Sequence, residues 1–581
     1  MSSPPDIPLH ESIAPAKQGA RRHYGSHPYF TKRAWNVVQA YIDHFSAPGD
    51  TVLDPFGGSG VTIVESLVRR RRGIYADISQ WACFLARQTA IAPASLAGVQ
   101  RAFMHVENDC RADIERLWRR PNDELASEPV RDWYPRDVRL PTNADVRWVH
   151  ELFTPRMLHG LARLRAAILR VEDPGARDLL LMAFSAALAR INRTFLSATD
   201  RAESRGGSAI FSIYRYKVAK RVVELPLWDQ FRKRVEKLIE AKRETNQLIG
   251  DFYREGDTAM FRHGSATRLL DWLKPGSVDY IYTDPPYGGH IAYLDLSTMW
   301  AAWLGMDVSP SDRAEEVIEG GELRKSREVY HHLLSRALVQ MQEVLRTGGW
   351  MSLVFAHRDT NYWESLVDAC KAAGFEYVNT VVQPVGVIWS MHKKKNPLRV
   401  LSGELVLNFR KNRSRTRKRA APARRDPLAL VRAACEATIV ERVGATTEEL
   451  HHEIIPRLLE SGTLREFSHE WGDMTPLLEQ MFQFERASGR WFLPAGWLPS
   501  ARLSRPRLAR YFAVRFLTEC EEADRVPTDN QVMRYVTDRL NGHGTVRPGA
   551  LRALLKQVAH STDGRHWRLT EPHGQHEFAF E

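Results

Sequence analysis

The chain has 581 residues, more than one hydrophobic core usually supports, so we expect about two to four domains. Hydrophobic residues make up 43% of the chain and charged residues 26%, a balance that is typical of folded globular proteins and excludes general disorder. The formal net charge of +12 favours a polyanionic partner.

The cysteine content and the hydropathy of the chain indicate in which cellular compartment the protein works. The five cysteines lie far apart and form no CxxC pair, which argues against a disulfide framework, a zinc ribbon or another metal site. The N-terminal segment has no apolar core of the signal-peptide type, and the chain has no run of about 18 uncharged apolar residues. We therefore expect a cytoplasmic protein that holds no metal and does not enter a membrane.

The predicted elements begin with an alternation of strand and helix. From Asp50 the sequence predicts a strand (TVLD), a glycine loop (PFGGSG), a helix (VTIVESLVRRRR) and a second strand (GIYADI). This is the opening of a doubly wound α/β domain. Residues 93–255 carry long helical patterns such as ARDLLLMAFSAALARI with few candidate strands, which indicates a helical insertion.

Strand patterns return after the insertion. SVDYIYTD (277–284) is followed by a predicted helix near 327–346 and by a strand, WMSLVFAH (350–357). Two further strand patterns, EYVNTVVQPV and GELVLNFR, lie close together and predict an antiparallel hairpin at the sheet edge. The predicted fold class is therefore α/β, with a Rossmann-like sheet and helices on both faces.

The last third of the chain differs in composition. The run RKNRSRTRKRAAPARR, from Arg410 to Arg425, contains no acid, and it is either a polyanion-binding segment or a solvated linker. Residues 428–581 combine amphipathic helices with short aromatic segments, which is compatible with a small, mainly helical, winged-helix-like domain. The expected boundaries are 1–24 (flexible tail), 25–92 and 256–410 (two parts of the α/β domain), 93–255 (insertion), 411–427 (basic linker) and 428–581 (accessory domain).

The glycine loop is the first candidate site. In VLDPFGGSG an apolar strand delivers Asp54 to a tight turn, where Gly57, Gly58 and Gly60 let the backbone approach a ligand closely. The second strand ends in Asp77, whose carboxylate can accept hydrogen bonds from both hydroxyls of a ribose. A nucleoside-type cofactor fits this pattern, and Asp54 can pair with an ammonium group on it. The alternatives are a purely structural turn and a helix-capping role for Asp77.

The second candidate site is Asp284-Pro285-Pro286-Tyr287, directly after the apolar strand VDYIY. Two prolines hold the backbone rigid at the carboxyl edge of the sheet, where α/β proteins bind ligands. An exocyclic aromatic amine is a poor nucleophile because its lone pair is delocalised into the ring. The Asp284 carboxylate and the Pro285 carbonyl can accept its N–H hydrogens while Tyr287 stacks on the base. This pattern favours direct methyl transfer without a covalent enzyme intermediate over an ordinary turn.

These segments together resemble the S-adenosylmethionine-dependent amino-methyltransferases of bacterial restriction-modification and phage-defence systems. DPFGGSG (54–60) is similar to the cofactor loop of that family, and TDPPY (283–287) to its catalytic loop. HPYFTKR (27–33) resembles the element that lines the methionine end of the cofactor. HGSATRLLDWL (263–273) resembles the segment that faces its adenine ring, with Ser265 where the family usually has an acid. The resemblance implies a cofactor site made of Phe30, Thr31, Asp54, Phe56, Gly57, Gly58, Ser59, Gly60, Asp77, Ile78 and Ser265.

Basic segments are the candidate contacts to DNA phosphates. The loop 192–221 mixes basic residues with serine, glycine and aromatics, and WSMHKKKNP (389–397) leaves the catalytic sheet. The alternatives are a solvated loop and a charged hairpin tip. His357 and Trp389 are candidates for the base pocket, although a histidine at a strand end is more often structural. The predicted DNA contacts are Arg193, Arg201, Arg205, Lys393, Lys394, Lys395, Arg413, Arg415, Arg417 and Lys418.

The resemblance implies a methyltransferase that acts on the exocyclic amine of a flipped base in double-stranded DNA. Adenine N6 is favoured over cytosine N4, because aspartate at the position of Asp284 is common for adenine and serine for cytosine. An RNA methyltransferase acting on guanine N2 is an alternative, and so is a catalytically inert DNA-binding component, which the intact DPPY sequence opposes. A cognate restriction or defence-system subunit is a candidate partner.

Overall fold

The structure is a computed structural model that describes residues 7–92, 95–196, 207–289, 291–384, 403–412, 426–500, 503–540, 547–561, 563 and 565–570. These residues form two compact units. The first unit consists of the residues up to 357 together with 365–384 and 403–412. The second unit consists of 358–364 and the described residues from 426 onward.

A seven-stranded sheet organises the first unit. Its strands are β1 (Thr51–Asp54), β2 (Arg72–Asp77), β3 (Ala259–His263), β4 (Val278–Thr283), β5 (Leu345–Phe355), β6 (Phe375–Gln383) and β7 (Glu404–Lys411). The α-helices found up to residue 412 are α1 (Trp35–Phe45), α2 (Val61–Val68), α3 (Gln80–Ala90), α4 (Leu96–Arg119), α5 (Asn122–Ala126), α6 (Pro155–Leu169), α7 (Pro174–Leu188), α8 (Ala209–Ile213), α9 (Leu227–Ile249), α10 (Tyr293–Leu304), α11 (Pro310–Glu315), α12 (Arg327–Val344) and α13 (Thr360–Ala373).

The strand order is β3-β2-β1-β4-β5-β7-β6. The first five strands of this order run parallel, and β7 is antiparallel to both β5 and β6. The predicted α/β class and the antiparallel pairing of the last two strands are confirmed. The final strand in sequence, β7, lies inside the sheet, and β6 forms the edge. This order brings the carboxyl ends of β1, β2 and β4 to the same edge of the sheet.

Alternating burial explains why these segments form strands. Val52 and Tyr280 belong to a hydrophobic cluster that also contains Tyr41 of α1 and Val64 of α2. The alternate residue Leu53 points to the opposite face, and its side chain is buried as well. Both faces of the sheet are therefore covered, as parallel strands require.

The chain between β2 and β3 forms a mainly helical body, in agreement with the helical patterns in its sequence. Helices α4, α6, α7 and α9 contribute buried side chains to a single hydrophobic cluster. The cluster continues to Trp81 of α3 and Trp300 of α10, whose rings stack with centroids 5.2 Å apart. Because this core includes helices that flank the sheet, the inserted helices pack as part of the first unit.

The second unit is mainly helical. Its helices are α14 (Pro427–Arg442), α15 (Thr447–Ser461), α16 (Leu464–Glu470), α17 (Thr475–Met481), α18 (Arg505–Glu522), α19 (Asp529–Arg539) and α20 (Pro548–Val558). Two short antiparallel hairpins accompany them, β8 (Gln483–Glu485) with β9 (Arg490–Phe492) and β10 (Ala559–His560) with β11 (Arg568–Leu569). Helices α18 to α20 followed by the hairpin β10–β11 have the element order of a winged-helix domain.

Three further observations bear on the expectations from composition. Among the described residues, no helix is long and apolar enough to cross a membrane. The five cysteines, which all lie in the described parts of the chain, are free thiols. Within the same described parts of the chain, no group of three or more histidine, cysteine or acidic side chains is arranged to hold a metal ion.

Candidate active site

The glycine loop between β1 and α2 is shaped by close contacts on both sides. A Cβ atom on Gly57 would stand 2.3 Å from the ring of Tyr75. A Cβ atom on Gly60 would stand 2.7 Å from the Cβ of Ala86, and the φ of Gly60 is +81°. Only glycine fits these two positions without displacing its surroundings. The loop backbone can therefore come close to a ligand before α2 begins at Val61.

Asp54 ends β1 and is almost fully buried. Its carboxylate accepts hydrogen bonds from the hydroxyls of Thr62 at 2.7 Å and Thr283 at 3.1 Å, and from the backbone amide of Phe56 at 3.2 Å. Burial raises the pKa of Asp54 to about 7. The side chain thus ties β1 to the end of β4 and fixes the start of the glycine loop.

Asp77 ends β2 and forms a hydrogen bond with the same loop. Its Oδ2 atom accepts from the backbone amide of Gly58 at 2.9 Å, and its Oδ1 atom accepts from the amide of Ser79 at 2.8 Å. The N-cap of α3 is Ser79, so capping does not explain Asp77. Each carboxylate oxygen keeps further acceptor capacity for a ligand. Burial raises the pKa of Asp77 to about 6.

A single cavity, partly open to solvent, joins the ends of β1, β2 and β4. The loop residues 54–59, Asp77 and Ile78 line one part of it, and Asp284 and Pro286 line another. The other lining residues are Tyr29, Thr31, Arg33, Val61, Thr62, Ser265, Ala266, Tyr282, Tyr293, Glu315, Glu316 and Val317. The structure therefore brings the two candidate sites, more than 200 residues apart in sequence, into one cavity.

The segment Asp284 to Tyr287 leaves β4 at the carboxyl edge of the sheet. The Tyr287 hydroxyl donates to Asp284 Oδ1 at 2.6 Å, and the hydroxyl of Tyr330 on α12 donates to the Pro286 carbonyl at 2.8 Å. The ring of Tyr287 meets the ring of Phe355 edge-on, with centroids 5.1 Å apart. These contacts hold the segment in place from inside the protein.

Arg33 connects this segment to β7, which lies two strands from β4 in the sheet. Its Nε atom donates to Asp284 Oδ2 at 2.5 Å, and its Nη2 atom donates to the Tyr287 hydroxyl at 2.7 Å. Its Nη1 atom pairs with the carboxylate of Glu404, the first residue of β7. Burial raises the pKa of Asp284, and Arg33 opposes that shift. Burial also acts to lower the pKa of Arg33, but the two carboxylates hold it above its ordinary value.

Ser265 and Glu315 stand together at the end of the cavity next to β3. Ser265 caps the 3₁₀ helix Ala266–Asp271 by accepting from the amide of Thr267 at 3.2 Å. The hydroxyl of Thr267 donates to the carboxylate of Glu315, the last residue of α11. The structure thus brings an acid from a distant segment next to Ser265.

Most of the predicted cofactor residues line the cavity, with Phe30 and Gly60 as exceptions. The Phe30 side chain is buried in the hydrophobic core, where its ring lies 6.0 Å from the ring of Trp300. Its neighbours Tyr29 and Thr31 face the cavity instead. The geometry therefore gives Phe30 a packing role in place of the predicted cofactor contact, and Gly60 a role in turning the chain into α2.

The predicted DNA contacts fall mostly outside the described residues. Arg193 is described, and its guanidinium donates to the backbone carbonyl of Glu151 at 2.8 Å, so it holds the inserted helices together. His357 stacks beside Phe355, with ring centroids 6.4 Å apart. Outside the described residues lie Arg201, Arg205, Lys393, Lys394, Lys395, Arg413, Arg415, Arg417, Lys418 and Trp389.

Several cavity residues were missed by the sequence analysis, above all Arg33, Tyr293 and Glu315. Arg33 is the last residue of HPYFTKR, the segment predicted to line the cofactor, so its positive charge and the acid of the catalytic loop were a usable signal. Tyr293 and Glu315 belong to α10 and α11, whose sequences carry no mark of a ligand site. Their roles become visible only when the chain is folded.

Residues 11–88, which contain HPYFTKR, the glycine loop and Asp77, match the family profile described as DNA methylase. This segment of the chain is therefore similar to the DNA methylase family. The Type II methyltransferase M.MjaII of Methanocaldococcus jannaschii is 33% identical over 70 residues, which make up 12% of this chain and 13% of that protein. The match to this curated relative therefore spans about an eighth of its length.

The solved structures that are similar to this protein have low TM-scores. A Thermus thermophilus protein classed as a DNA modification methylase has 16% identity and a TM-score of 0.15, with 29% of this chain and 61% of that chain covered. A structure of the same protein complexed with S-adenosyl-L-methionine has 16% identity and a TM-score of 0.16, with 27% and 56% covered. An rRNA methyltransferase from Streptomyces viridochromogenes has 10% identity and a TM-score of 0.22, with 66% and 87% covered. The fold of this protein is therefore defined by its own strand order.

Proposed function

We propose that the protein is a DNA methyltransferase that uses S-adenosylmethionine to methylate the exocyclic amine of a flipped base, with adenine N6 as the target. The observation that carries this proposal is the single cavity lined both by the loop 54–59 with Asp77 and by Asp284 and Pro286. The matched DNA methylase segment, residues 11–88, supports the same class of reaction.

The residues in the cavity fit such a cofactor. Asp77 offers carboxylate oxygens to ribose hydroxyls, and the glycine loop offers backbone at close range. Ser265 and Glu315 would face the adenine ring, while Asp54 and Thr31 lie toward the catalytic segment. S-adenosylmethionine supplies an electrophilic methyl group on a positively charged sulfur. Carboxylates at both ends of the cavity suit a ligand that carries positive charge.

The catalytic segment would act on the target amine. The Asp284 carboxylate and the Pro285 carbonyl accept hydrogen bonds from the two N–H groups, which localises the nitrogen lone pair and aims it at the methyl group. Tyr287 stacks on the base and orients it. The nitrogen would bond to the methyl carbon as the carbon–sulfur bond breaks, and one N–H proton would pass to Asp284 or to solvent. No enzyme group forms a covalent bond to the base, so positioning and electrostatics carry the rate.

The choice of adenine rests on the resemblance, because aspartate at the position of Asp284 is the form common among adenine enzymes. The same resemblance suggests a role in a restriction-modification or phage-defence system, with a cognate nuclease or defence subunit as partner. The cytosine and RNA alternatives use the same chemistry on a different base. The identity of the methylated nucleoside therefore distinguishes them.

The test is transfer of a tritiated methyl group from S-adenosylmethionine to unmethylated DNA, with digestion of the product to identify the labelled nucleoside. We expect label in N6-methyladenine and none in a parallel RNA sample. Asp284→Ala should lower the rate on the order of a hundredfold or more, because it removes a positioned acceptor. Its cofactor affinity, measured by calorimetry, should stay within about threefold of the wild type.

Asp279→Asn provides the matched control on the same strand. Asp279 accepts from the Thr51 amide at 2.9 Å and pairs with Arg346, and it does not line the cavity. Its substitution should therefore leave most of the transfer rate intact. A fully active Asp284→Ala enzyme would show that the catalytic segment is misassigned.

A further inference from the structure

The side chain of Arg33 occupies the hydrogen-bonding positions that the proposed function assigns to the target base. Asp284 Oδ2 accepts from Arg33 Nε at 2.5 Å, and Asp284 Oδ1 accepts from the Tyr287 hydroxyl at 2.6 Å. The Tyr287 hydroxyl in turn accepts from Arg33 Nη2 at 2.7 Å. Both oxygens of the carboxylate are therefore engaged from within the protein.

A guanidinium in this position opposes the reaction. Arg33 is a charged donor with a planar fork of N–H groups, so it competes for a carboxylate better than a neutral aromatic amine does. Its positive charge also weakens the carboxylate as an acceptor. The same charge would repel a positively charged methyl donor in the same cavity. Methyl transfer therefore requires Arg33 to release Asp284.

Glu404 gives Arg33 a second partner. Its carboxylate already pairs with Arg33 Nη1, and the side chains of Arg33, Asp284 and Glu404 are only 18%, 19% and 17% exposed. A guanidinium that left Asp284 without another anion nearby would be a poorly hydrated, unpaired charge, which is costly. Because Glu404 remains in contact, Arg33 can release Asp284 and stay paired.

Arg33 is not needed to hold its own segment in place. The backbone carbonyl of Arg33 accepts from the side chain of Gln18, and the neighbouring Lys32 donates to the carbonyls of Tyr24 and His27. These contacts anchor residues 24–33 independently of the Arg33 guanidinium. The contacts of that guanidinium with Asp284 and Tyr287 therefore have another role than anchoring the segment.

We propose that Arg33 is a positioning residue that guards the catalytic carboxylate: it pairs with Asp284 in the absence of substrate and shifts onto Glu404 alone when a base enters. The guard keeps the buried carboxylate satisfied until the target amine replaces it. The inference rests on the proposed function, because the entering group is the exocyclic amine of the base.

The test compares the wild type, Glu404→Gln, and the double variant Arg33→Met with Glu404→Gln in single-turnover transfer to unmethylated DNA. Glu404→Gln removes the second partner, so Arg33 should stay on Asp284 and the rate should fall about tenfold or more. Removing Arg33 as well frees Asp284, so the double variant should regain at least a third of the wild-type rate. A purely structural ion pair predicts the opposite order, with the double variant as slow as Glu404→Gln or slower.

Thermal unfolding and calorimetric cofactor binding of each variant check that the fold and the cofactor site are intact. If Glu404→Gln does not fold, Glu404→Asp, which shortens the acid by one methylene, replaces it in the same comparison. If the wild type transfers the methyl group but the double variant shows no rescue, the proposed role of Arg33 is wrong and the proposed function stands. Absence of transfer by the wild type would overturn the proposed function and the guard together.

Discussion

The glycine loop depends on individual residues in a way that a point substitution can test. The ring of Tyr75 fills the space beside Gly57, with its nearest atoms 2.3 Å from the position a Cβ would take. Tyr75 is fully buried and its hydroxyl donates to the Gly58 carbonyl at 2.8 Å, so the ring cannot simply turn away. A methyl group at Gly57 must instead push the loop into the cavity.

Gly57→Ala should therefore weaken S-adenosylmethionine binding at least tenfold, which corresponds to about 1.4 kcal/mol. Calorimetric titration measures the effect. Gly19→Ala is the matched control, because a Cβ atom at Gly19 would meet nothing within 4 Å, and it should bind the cofactor as the wild type does. Equal affinities of the two variants would contradict the assignment of the loop to the cofactor.

The proposed contact between Asp77 and the cofactor predicts that cofactor binding depends on pH. Burial raises its pKa to about 6, so the free protein is increasingly protonated at this carboxyl below pH 6. The ionised form is the better acceptor for ribose hydroxyls and favours a positively charged ligand. Binding should therefore strengthen as pH rises from about 5 to about 7, by at most tenfold per pH unit for one coupled group.

Asp77→Asn should remove that step and lower the affinity at pH 7 by about 1 to 3 kcal/mol, the cost of an unmatched polar contact. Calorimetry at a series of pH values separates this step from the one expected near pH 7, where burial places the pKa of Asp54. A variant that keeps the whole pH dependence of the wild type would show that Asp77 does not contact the cofactor.

At the scale of elements, α11 places an acidic side chain, Glu315, beside Ser265. The helix ends at Glu315. Its carboxylate accepts a hydrogen bond from the Thr267 hydroxyl and forms an ion pair with Arg268 at 3.3 Å. Both Glu315 and Ser265 line the cavity. An acid positioned from a neighbouring helix can thus serve the polar edge of the adenine ring in place of an acid at Ser265.

Glu315→Ala should weaken cofactor binding about tenfold, because it leaves a polar edge of the ligand without its acceptor. Glu328→Ala, an exposed acid in the first turn of α12, removes the same charge and should have no effect. The affinities are compared by calorimetry at one pH and salt concentration. If both variants bind equally well, the adenine edge is read by other groups.

Strand patterns predicted most of the sheet, since β1, β2, β4 and β5 are short apolar runs bounded by turn residues. The insertion of β7 between β5 and β6 could not be predicted, because both strands of a hairpin carry similar patterns and local sequence does not say which one is central. The contact between Arg33 and Asp284 spans 251 positions in the chain. Only the assembled sheet brings such residues together.

At the scale of the whole molecule, the inserted helices do not interrupt the sheet. β2 and β3 are neighbours in the sheet although residues 78–258 separate them in sequence. The insertion can be this long because it builds a core of its own that continues into α3 and α10. Its first and last residues then only have to meet at adjacent strands, which costs little in loop entropy once the helices pack.

The net charge of +12 predicts that DNA binding weakens steeply as the salt concentration rises. The basic run from Arg410 to Arg425 has the highest density of positive charge in the chain. Replacing Arg413, Arg415, Arg417 and Lys418 by glutamine should make the slope of log K against log salt up to about 3 to 4 units less steep, since each phosphate contact contributes about 0.9. The matched control replaces four exposed arginines of α4, Arg101, Arg111, Arg116 and Arg119, which lowers the net charge equally. Fluorescence anisotropy with one duplex measures both slopes. Because counterion release counts contacts rather than total charge, only the first variant should change the slope, and equal changes in both would mean that the run acts through overall charge alone.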